Sequence, residues 1–412
     1  MKAVFIYTLT AFGGPQGHLG MMMKQFVTKR KFFSENELLE MNAFCQLLPG
    51  ATSTQLITLL GYKRGGYITA VITFFIWILP ASLIMALLSF VLTDYAELSG
   101  IMQLLHFIQP MAIGFLLFAF YRSYLTSVKN TTHHTIMLFA TLFLFLFFRS
   151  PWIIPIIIIL SGLVTYFVGE KHAKLGEIKK PSFKWGFLVS FLFLFLFVGI
   201  LSEISRKKEW KNRTALNLIE NNYRFGSLVF GGGDVLMPLM IDQYVARPQN
   251  ERLLKRNPGI IVLSREDLLS GYGLVKAIPG PVFSISSFIA GVSLKKDETY
   301  YRLGVIFLAT IAIFLPGVLL LFLFYPIWKG IRVHPAVMAS LQGINAALVG
   351  IILSTILYLC LDLKNMGLNN NLNQALVNLT VIITTFLLLN IKRFPATLIV
   401  LMCLLVSWFV GG

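Results

Sequence analysis

Charged residues are scarce in this chain of 412 residues. They make up 13% of the sequence, whereas hydrophobic residues make up 56%, and the mean hydropathy is +0.76. The charged share is about half of what soluble domains usually contain. A soluble domain could not hold so much apolar surface without exposing large apolar patches. The shortage of charge therefore argues against a soluble enzyme and predicts a membrane protein.

Cysteine is also scarce, and the sequence patterns of membrane-bound catalysts do not occur. Cys45, Cys360 and Cys403 lie in apolar segments without metal-like spacing, so no metal site and no disulfide is predicted. The sequence has no His-Glu-x-x-His and no Gly-x-Ser-x-Gly, and no Gly-Lys-Ser/Thr follows its glycine-rich stretches. We predict no cofactor and no enzyme. An intramembrane enzyme stays a rival hypothesis that product formation by the purified protein would revive.

Acidic residues are few beside basic ones. The chain has 35 Lys and Arg against 18 Asp and Glu, a formal net charge of +17. The basic residues are scattered between apolar runs, which is typical of positive-inside loops and argues against nucleic-acid binding. An excess of this size also favours the attraction of anions.

What the chain has in abundance is long apolar runs. Each is close to the roughly 20 residues that a helix needs to cross hydrocarbon. The runs are Gly66–Phe90, Met102–Tyr121, Trp185–Leu201, Tyr301–Tyr325 and Ala336–Cys360. They predict a polytopic membrane protein of the all-α class.

An internal repeat organises these runs. Phe12-Gly13-Gly14 recurs 218 positions later as Phe230-Gly231-Gly232, and Leu48-Pro49-Gly50 recurs 230 positions later as Ile278-Pro279-Gly280. Three more pairs follow in the same order: Ser34–Leu39 with Ser264–Leu269, Leu79-Pro80 with Leu315-Pro316, and Gln109 and Gly114 with Asn345 and Gly350. Secondary transporters are commonly built from repeated halves with the substrate site between them. We predict a first repeat at residues 1–170, a linker with one additional span at 171–222, and a second repeat at 223–412.

The Pro-Gly motifs are the most informative features of the two halves. Proline and glycine break a helix, and a break inside a membrane persists only where it is buried in protein or lines a cavity. The helix that resumes has free N–H groups and a partial positive charge, which suit an anion. Thr52, Ser53 and Thr54 would add hydroxyl donors after the first break, and Ser284 after the second. A proline kink used only for packing is the alternative for each motif taken alone.

Two ionisable residues lie in membrane-depth segments of the second half. Asp234 follows the triple glycine, and Lys276 occupies the position of Gln46, 230 residues later. Charges at that depth are costly and usually functional. We predict that the two side chains interact, either as a fixed ion pair or as a pair that an anion disrupts. In the second case Asp234 would carry a coupled proton. His18 is a weaker candidate for that role, and a hydrogen-bonded structural histidine is its alternative.

The motifs resemble those of the chromate ion transporter family over nearly the whole chain. The residues that carry the resemblance are Phe12–Pro15 with His18, Gln46–Gly50 with Thr52–Gln55, Gly61-Tyr62 with Arg64, Phe230–Gly233, and Ile278–Phe283. The resemblance implies proton-driven export of a sulfate-shaped dianion from bacterial cytoplasm, and two homologous, inverted repeats with broken or re-entrant helices. It also implies a multi-pass protein of the bacterial cytoplasmic (inner) membrane. Asp234 and Lys276 depart from the aromatic residue and the glutamine that the family commonly has.

These observations lead to one predicted site and its partners. The predicted substrate-binding residues are Gly13, Gly14, Pro15, Gln46, Gly50, Thr52, Ser53, Thr54, Gln55, Gly231, Gly232, Gly233, Lys276, Gly280, Val282 and Ser284. The expected partners are a small oxyanion and the lipid bilayer, and the sequence leaves a homo-oligomer open. A scaffold protein, or a transporter of a cation at Asp234 or of a neutral solute, is the alternative.

Overall fold

The protein is helical wherever the computed structural model describes it, and those residues contain no strand. The description covers residues 1–412 except 13, 95–102, 148–152, 169–183, 231, 257–259, 329–334, 368–371, 392–393 and 411–412. The predicted all-α class is thus confirmed.

The first group of helices ends at Val168. It comprises α1 (Lys2–Thr10), α2 (Gly14–Met22), α3 (Glu35–Gln46), α4 (Thr52–Asp94), α5 (Ile108–Ser127), α6 (Thr131–Phe147) and α7 (Ile153–Val168). A π-helix, Met23–Lys29, continues α2.

The second group begins with the helix predicted as the additional span of the linker. It comprises α8 (Trp185–Lys207), α9 (Arg213–Leu228), α10 (Leu236–Ile241), α11 (Glu251–Arg256), α12 (Arg265–Ala277), α13 (Ile285–Ser293), α14 (Thr299–Phe324), α15 (Pro335–Gly367), α16 (Leu372–Asn390) and α17 (Ala396–Val410). A π-helix, Asp242–Ala246, continues α10, and a 3-10 turn, Val282–Ser284, leads into α13.

Several helices have the length and composition of membrane spans. Among the described residues, five qualify: α4, α8, α14, α15 and α16. Helix α8 is almost bare of protein contacts on its outer side, where Phe193 is 61% exposed and Leu196 is 59% exposed. Large apolar side chains in that position are suited to lipid. The protein is therefore a multi-pass membrane protein, and α8 fits the additional span predicted for the linker.

Polar caps fix where helices α3 and α12 begin. Ser34 accepts a bond from the backbone N–H of Glu37 at 3.2 Å, and the Glu37 carboxylate accepts from the Ser34 N–H at 2.9 Å. This is a capping box, and its backbone and hydroxyl donors lower the pKa of the Glu37 carboxyl. Ser264 caps α12 with one such bond, accepting from the Asp267 N–H at 2.9 Å.

The first Pro-Gly motif forms the tip of a helical hairpin. Helix α3 ends at Gln46, and α4 begins at Thr52. At the open end, the Arg64 guanidinium lies 3.7 Å from the ring centre of Phe32, so residues 52–64 run back along α3. We call α3 and residues 52–64 hairpin 1.

The second Pro-Gly motif is the tip of a matching hairpin. Helix α12 ends at Ala277, and the chain turns before Val282. The two arms touch, because a Cβ on Gly271 would lie 2.5 Å from a ring carbon of Phe288. We call α12 and residues 282–293 hairpin 2. The predicted helix breaks are thus present as re-entrant hairpins, while their depth in a bilayer stays a prediction.

Each hairpin is followed by a second reversal of the chain. Within α4 the helix breaks at Gly65 and Gly66, where Gly66 has φ +71°. The Trp77 indole N–H then donates to the Thr54 hydroxyl at 3.0 Å, so residues 67–94 return alongside residues 52–64. In the second half, the Ser287 and Thr310 hydroxyls lie 2.7 Å apart, which pairs α13 with α14 in the same manner. The long apolar helices thereby support the two re-entrant arms.

The two halves touch through reciprocal contacts at the hairpin tips. The Gly50 N–H donates to the Val229 carbonyl at 2.6 Å, and the Gly280 N–H donates to the Ala11 carbonyl at 3.0 Å. Val229 follows α9 and Ala11 follows α1, so each tip is held by the first helix of the other half. This exchange supports the two-repeat relation, which remains a prediction, as do its domain boundaries and its inverted orientation.

Candidate functional site

Backbone geometry at both tips requires glycine. Gly50 has φ +116° and Gly280 has φ +131°, a region that residues with a Cβ rarely adopt. A Cβ on Gly280 would lie 2.6 Å from the Ala81 Cβ, and one on Gly50 would lie 3.0 Å from the Gly317 Cα. Positive φ and close approach therefore both select glycine, and they keep the tips tightly packed on the long helices.

Both tips open onto one cavity of about 470 Å³. Thr52 lines it from hairpin 1, and Ile278, Gly280 and Val282 line it from hairpin 2. The volume lies in the range of small-molecule sites in proteins. The structure thus brings together two segments that are more than 200 residues apart in sequence.

Lys276 and Asp234 form an ion pair in the wall of this cavity. The predicted contact between them is present. Both side chains are largely buried, with 10% of Lys276 and 28% of Asp234 exposed. The Tyr272 hydroxyl donates to the same carboxylate oxygen at 2.8 Å, and the Lys276 ammonium lies 4.8 Å from the Tyr272 ring centre. An anion entering the cavity would meet a cation that is already partly desolvated.

The hydroxyl groups after the first break are engaged unequally. Ser53 Oγ lies 2.9 Å from Nδ1 of His18, and Thr54 accepts a bond from Trp77. Thr52 is the only one of these three that lines the cavity. Gln55 closes the break by donating to the Pro49 carbonyl at 2.8 Å and to the Gly317 carbonyl at 3.1 Å. The predicted cluster of donors is therefore reduced to Thr52 in the cavity wall, backed by residues that hold the tip.

His18 lies in the cavity wall beside this tip. The residue is 2% exposed, and its ring packs edge-on against Trp77 with ring centres 5.3 Å apart. The bond to Ser53 connects α2 with the start of α4. His18 therefore has both the structural role weighed in the sequence analysis and a position that a ligand can reach.

The second glycine-rich stretch packs against the site where the structure describes it. Gly232 has φ +110°, and a Cβ on Gly233 would lie 2.7 Å from the Val282 Cβ, so this turn packs directly against the second tip. Gly14 and Pro15 begin α2. Gly13 and Gly231, also predicted for the site, lie outside the described residues.

Ser284, the predicted donor after the second break, also lies away from the cavity lining. It is fully buried, and its hydroxyl accepts a bond from the Ser82 hydroxyl at 3.3 Å. Gln46, by contrast, lines the cavity together with Asn42, one turn earlier on α3. Asn42 and Gln46 occupy the positions of Tyr272 and Lys276, each 230 residues earlier. The two hairpins thus present matched pairs of side chains, one neutral and one charged.

Helix α5 contributes residues that the sequence analysis did not single out. Phe115, Phe118, Arg122 and Thr126 lie one helical turn apart and all line the cavity. The Lys276 ammonium is 5.9 Å from the Phe115 ring centre, so this stripe starts beside the ion pair. Eleven residues of helix, from Phe115 to Thr126, cover roughly 16 Å. The cavity therefore extends along α5 from the buried ion pair to the exposed Arg122.

Comparison with known proteins agrees with this architecture. The family model for chromate transporters matches residues 1–166 and 216–408. The chain belongs to the chromate transporter family. The match leaves out the residues around α8, which is the helix without a counterpart in the first half. As a member of this family the protein is a membrane transporter.

Two relatives show how far the similarity extends. An uncharacterised transporter of Methanocaldococcus jannaschii is 23% identical over 409 residues, covering 98% of this chain and 91% of that protein. The chromate transport protein of Cupriavidus metallidurans is 21% identical over 391 residues, covering 94% of this chain and 87% of that protein. No solved structure matches the chain significantly.

Proposed function

We propose that this transporter carries a small divalent oxyanion, with chromate as the first candidate and sulfate-like anions next. The observation that carries the proposal is the cavity in which Lys276 meets the two hairpin tips. Broken helices direct free N–H groups and a partial positive charge toward such a cavity. Membership of the chromate transporter family and the name of the Cupriavidus relative support the same substrate.

The anion would bind between Thr52 and the second tip, with Lys276 as its countercharge. Thr52 offers a hydroxyl, and Asn42 and Gln46 offer amide donors from α3. Hydrogen bonds to a charged ligand are stronger than those between neutral groups. Arg122 would attract the anion to the exposed end of the cavity.

Asp234 would couple the anion to a proton. An arriving dianion competes with Asp234 for Lys276, and the displaced carboxylate then lies near a new negative charge. Both changes favour its protonation. Because linkage is reciprocal, protonation of Asp234 would in turn favour anion binding. Tyr272, which already donates to the carboxylate at 2.8 Å, would keep Asp234 in place during the exchange.

The setting we propose is the cytoplasmic membrane of a bacterium, with export driven by the proton motive force. The direction and the energy source come from the resemblance to the family. Transport in an oriented membrane would test both. A dianion that travels with one proton carries a net negative charge, so an exporter should load inside-out vesicles when the vesicle interior is made electrically positive.

Purified protein in proteoliposomes tests the substrate. We expect accumulation of labelled chromate, competition by sulfate, and a response to an imposed pH gradient. The same liposomes without protein provide the background, and labelled sodium and a neutral sugar provide the competing solute classes. Uptake of a cation without uptake of either anion would overturn the proposal.

A cation substrate at Asp234 is the second candidate considered in the sequence analysis. The structure argues against it, because Lys276 contacts the same carboxylate oxygen that Tyr272 does. A cation would have to displace the ammonium from a largely buried position, and Arg122 at the exposed end of the cavity would repel it.

A further inference from the structure

A second cavity, of about 300 Å³, lies at the open end of hairpin 1. It is enclosed by α1, by the π-helix that follows α2, and by the two parts of α4 on either side of Gly65 and Gly66. Residues 52–64 separate it from the tip, a helix of roughly 19 Å. It is therefore distinct from the cavity that contains Lys276.

Three basic side chains line this second cavity: Lys2, Arg30 and Arg64. No carboxylate is among the described residues that line it, and none of the three is paired with a described carboxylate. Arg64 instead lies over the ring of Phe32. Such a cluster repels itself, so an anion that neutralised it would be favoured.

Exposed apolar side chains lie close in sequence to residues of α1 and α4 that line the cavity. On α1, Phe5 is 50% exposed, and on α4, Ile68 is 77% exposed and Ile72 is 41% exposed. These side chains flank Lys2 and Thr69, which line the cavity. In a membrane protein such surfaces face acyl chains, and basic pockets between helices at the membrane surface bind lipid head groups.

Among the residues that the structure describes, the corresponding end of hairpin 2 is arranged differently. The Leu263 N–H donates to the Tyr244 carbonyl at 3.0 Å, which places the π-helix Asp242–Ala246 at the open end of hairpin 2. There Arg247 is paired with Asp242, and Arg224 is paired with Glu220 at 2.8 Å. Internal carboxylates provide at hairpin 2 the negative charge that hairpin 1 does not.

We propose that this second cavity binds one anionic phospholipid, with the phosphate among Lys2, Arg30 and Arg64 and the acyl chains along the exposed faces of α1 and α4. The volume suits a head group, and the chains would lie outside it. Because Arg64 is the last residue before the break in α4, the lipid would also hold hairpin 1 at its base. The site is independent of the transported solute and needs only the bilayer.

Native mass spectrometry of the full-length protein tests this site, using micelles that contain equal amounts of phosphatidylglycerol and phosphatidylcholine. We expect one phosphatidylglycerol bound in preference to phosphatidylcholine. A basic residue near a lipid surface contributes about fivefold in affinity, so Arg30→Gln with Arg64→Gln should reduce the preference by roughly 25-fold. The double change Lys295→Gln with Lys296→Gln removes two exposed lysines elsewhere and should leave the preference unchanged.

Two further measurements keep the proposal open to refutation. Soluble glycerol phosphate and inorganic phosphate should not compete, and competition at similar concentrations would show a site for a free anion instead. Should the Arg30 and Arg64 variant fail to fold, a photoactivatable phosphatidylglycerol on the unaltered protein should label residues of α1 and of 67–94. Equal retention of the two lipids, or labelling confined to other helices, would overturn the proposal.

Discussion

Hairpin 1 and hairpin 2 both turn at a Pro-Gly motif but carry different chemistry. At the first tip the polar groups are used internally: Ser53 with His18, Thr54 with Trp77, and Gln55 with the Pro49 and Gly317 carbonyls. At the second tip, one turn of α12 brings Tyr272 and Lys276 to Asp234 in the cavity wall. The first tip is thus built mainly as a rigid support, and the second supplies the charge.

The difference shows how two hairpins of similar design can carry different chemistry. Both tips keep a glycine at positive φ and a bond to the opposite half, which fix their geometry. At the matched positions on α3 and α12, Asn42, Gln46 and Lys276 line the cavity, whereas Tyr272 is buried and reaches Asp234 through its hydroxyl. Asn42 and Gln46 on one side, and Lys276 with Asp234 on the other, give the cavity a neutral wall and a charged wall.

Removing the charge should have the largest effect. Lys276→Gln eliminates the countercharge and leaves the Asp234 carboxylate with Tyr272 alone. Losing one partner of a largely buried charge pair costs about 2 kcal/mol or more, so we expect at least about a 30-fold loss of chromate transport. Lys295→Gln is a matched control on an exposed lysine. A folded Lys276→Gln protein with full transport would show that hairpin 2 does not supply the charge.

Exchanging both members of the pair separates coupling from structure. Asp234→Tyr with Lys276→Gln removes the carboxylate and the ammonium together, so neither charge is left stranded. If Asp234 carries the proton, residual transport by the folded double variant should no longer respond to an imposed pH gradient. Comparing initial rates with and without the gradient measures this. An unchanged response would assign the pair a purely structural role.

The hydroxyls of the first tip offer a comparison within one hairpin. Thr52→Val keeps the shape of the side chain and removes the only hydroxyl of the three that lines the cavity. A hydrogen bond to a charged group is worth roughly 1.5–3 kcal/mol, so the affinity for chromate should fall about ten- to 100-fold. Ser53→Ala breaks the bond to His18 and should mainly lower thermal stability. Equal losses of affinity in the two variants would mean that Ser53 also reaches the substrate.

Glycine substitutions test whether the two tips are equally constrained. Gly280→Ala meets both a positive φ and an Ala81 Cβ at 2.6 Å, whereas Gly50→Ala meets its nearest atom at 3.0 Å. Strained backbone of this kind costs roughly 1–3 kcal/mol. We expect both variants to melt at lower temperature, with the larger shift for Gly280→Ala. Gly304→Ala, where nothing lies within 4 Å, is the control.

The sequence predicted much of this architecture because its signals were local. Pro-Gly after a polar helix marks a break, and two copies at matched spacing mark a pair. The contact between Asp234 and Lys276 followed from the cost of an unpaired charge in a membrane. These predictions needed only the chain itself and the properties of the bilayer.

Other features depended on tertiary contacts that no local pattern encodes. The bond from Trp77 to Thr54 exists because α4 reverses at Gly65 and Gly66, and an apolar run on either side of two glycines does not reveal that reversal. The same reversal removes Thr54 from the cavity. Arg122 was overlooked because it ends an ordinary apolar run. Only the packing of α5 beside Lys276 shows that Arg122 and Phe115 belong to one stripe of side chains along the cavity.

Arg122 gives the smallest expected effect and sharpens the contrast between binding and access. It lines the exposed end of the cavity. Two turns of α5, roughly 10 Å, separate it from Phe115, whose ring lies beside Lys276. At that separation an exposed cation is screened by salt, so it should speed the arrival of an anion more than it strengthens binding at the tips.

We expect Arg122→Gln to lower the initial rate at low substrate about three- to fivefold at low ionic strength. The deficit should shrink as salt is raised, and the rate at saturating substrate should stay near that of the unaltered protein. The Lys276→Gln defect should persist at every salt concentration, because that ammonium is 10% exposed. Rates measured across a salt series for both variants make the comparison, and an Arg122 deficit that ignores salt would place this residue in the binding site itself.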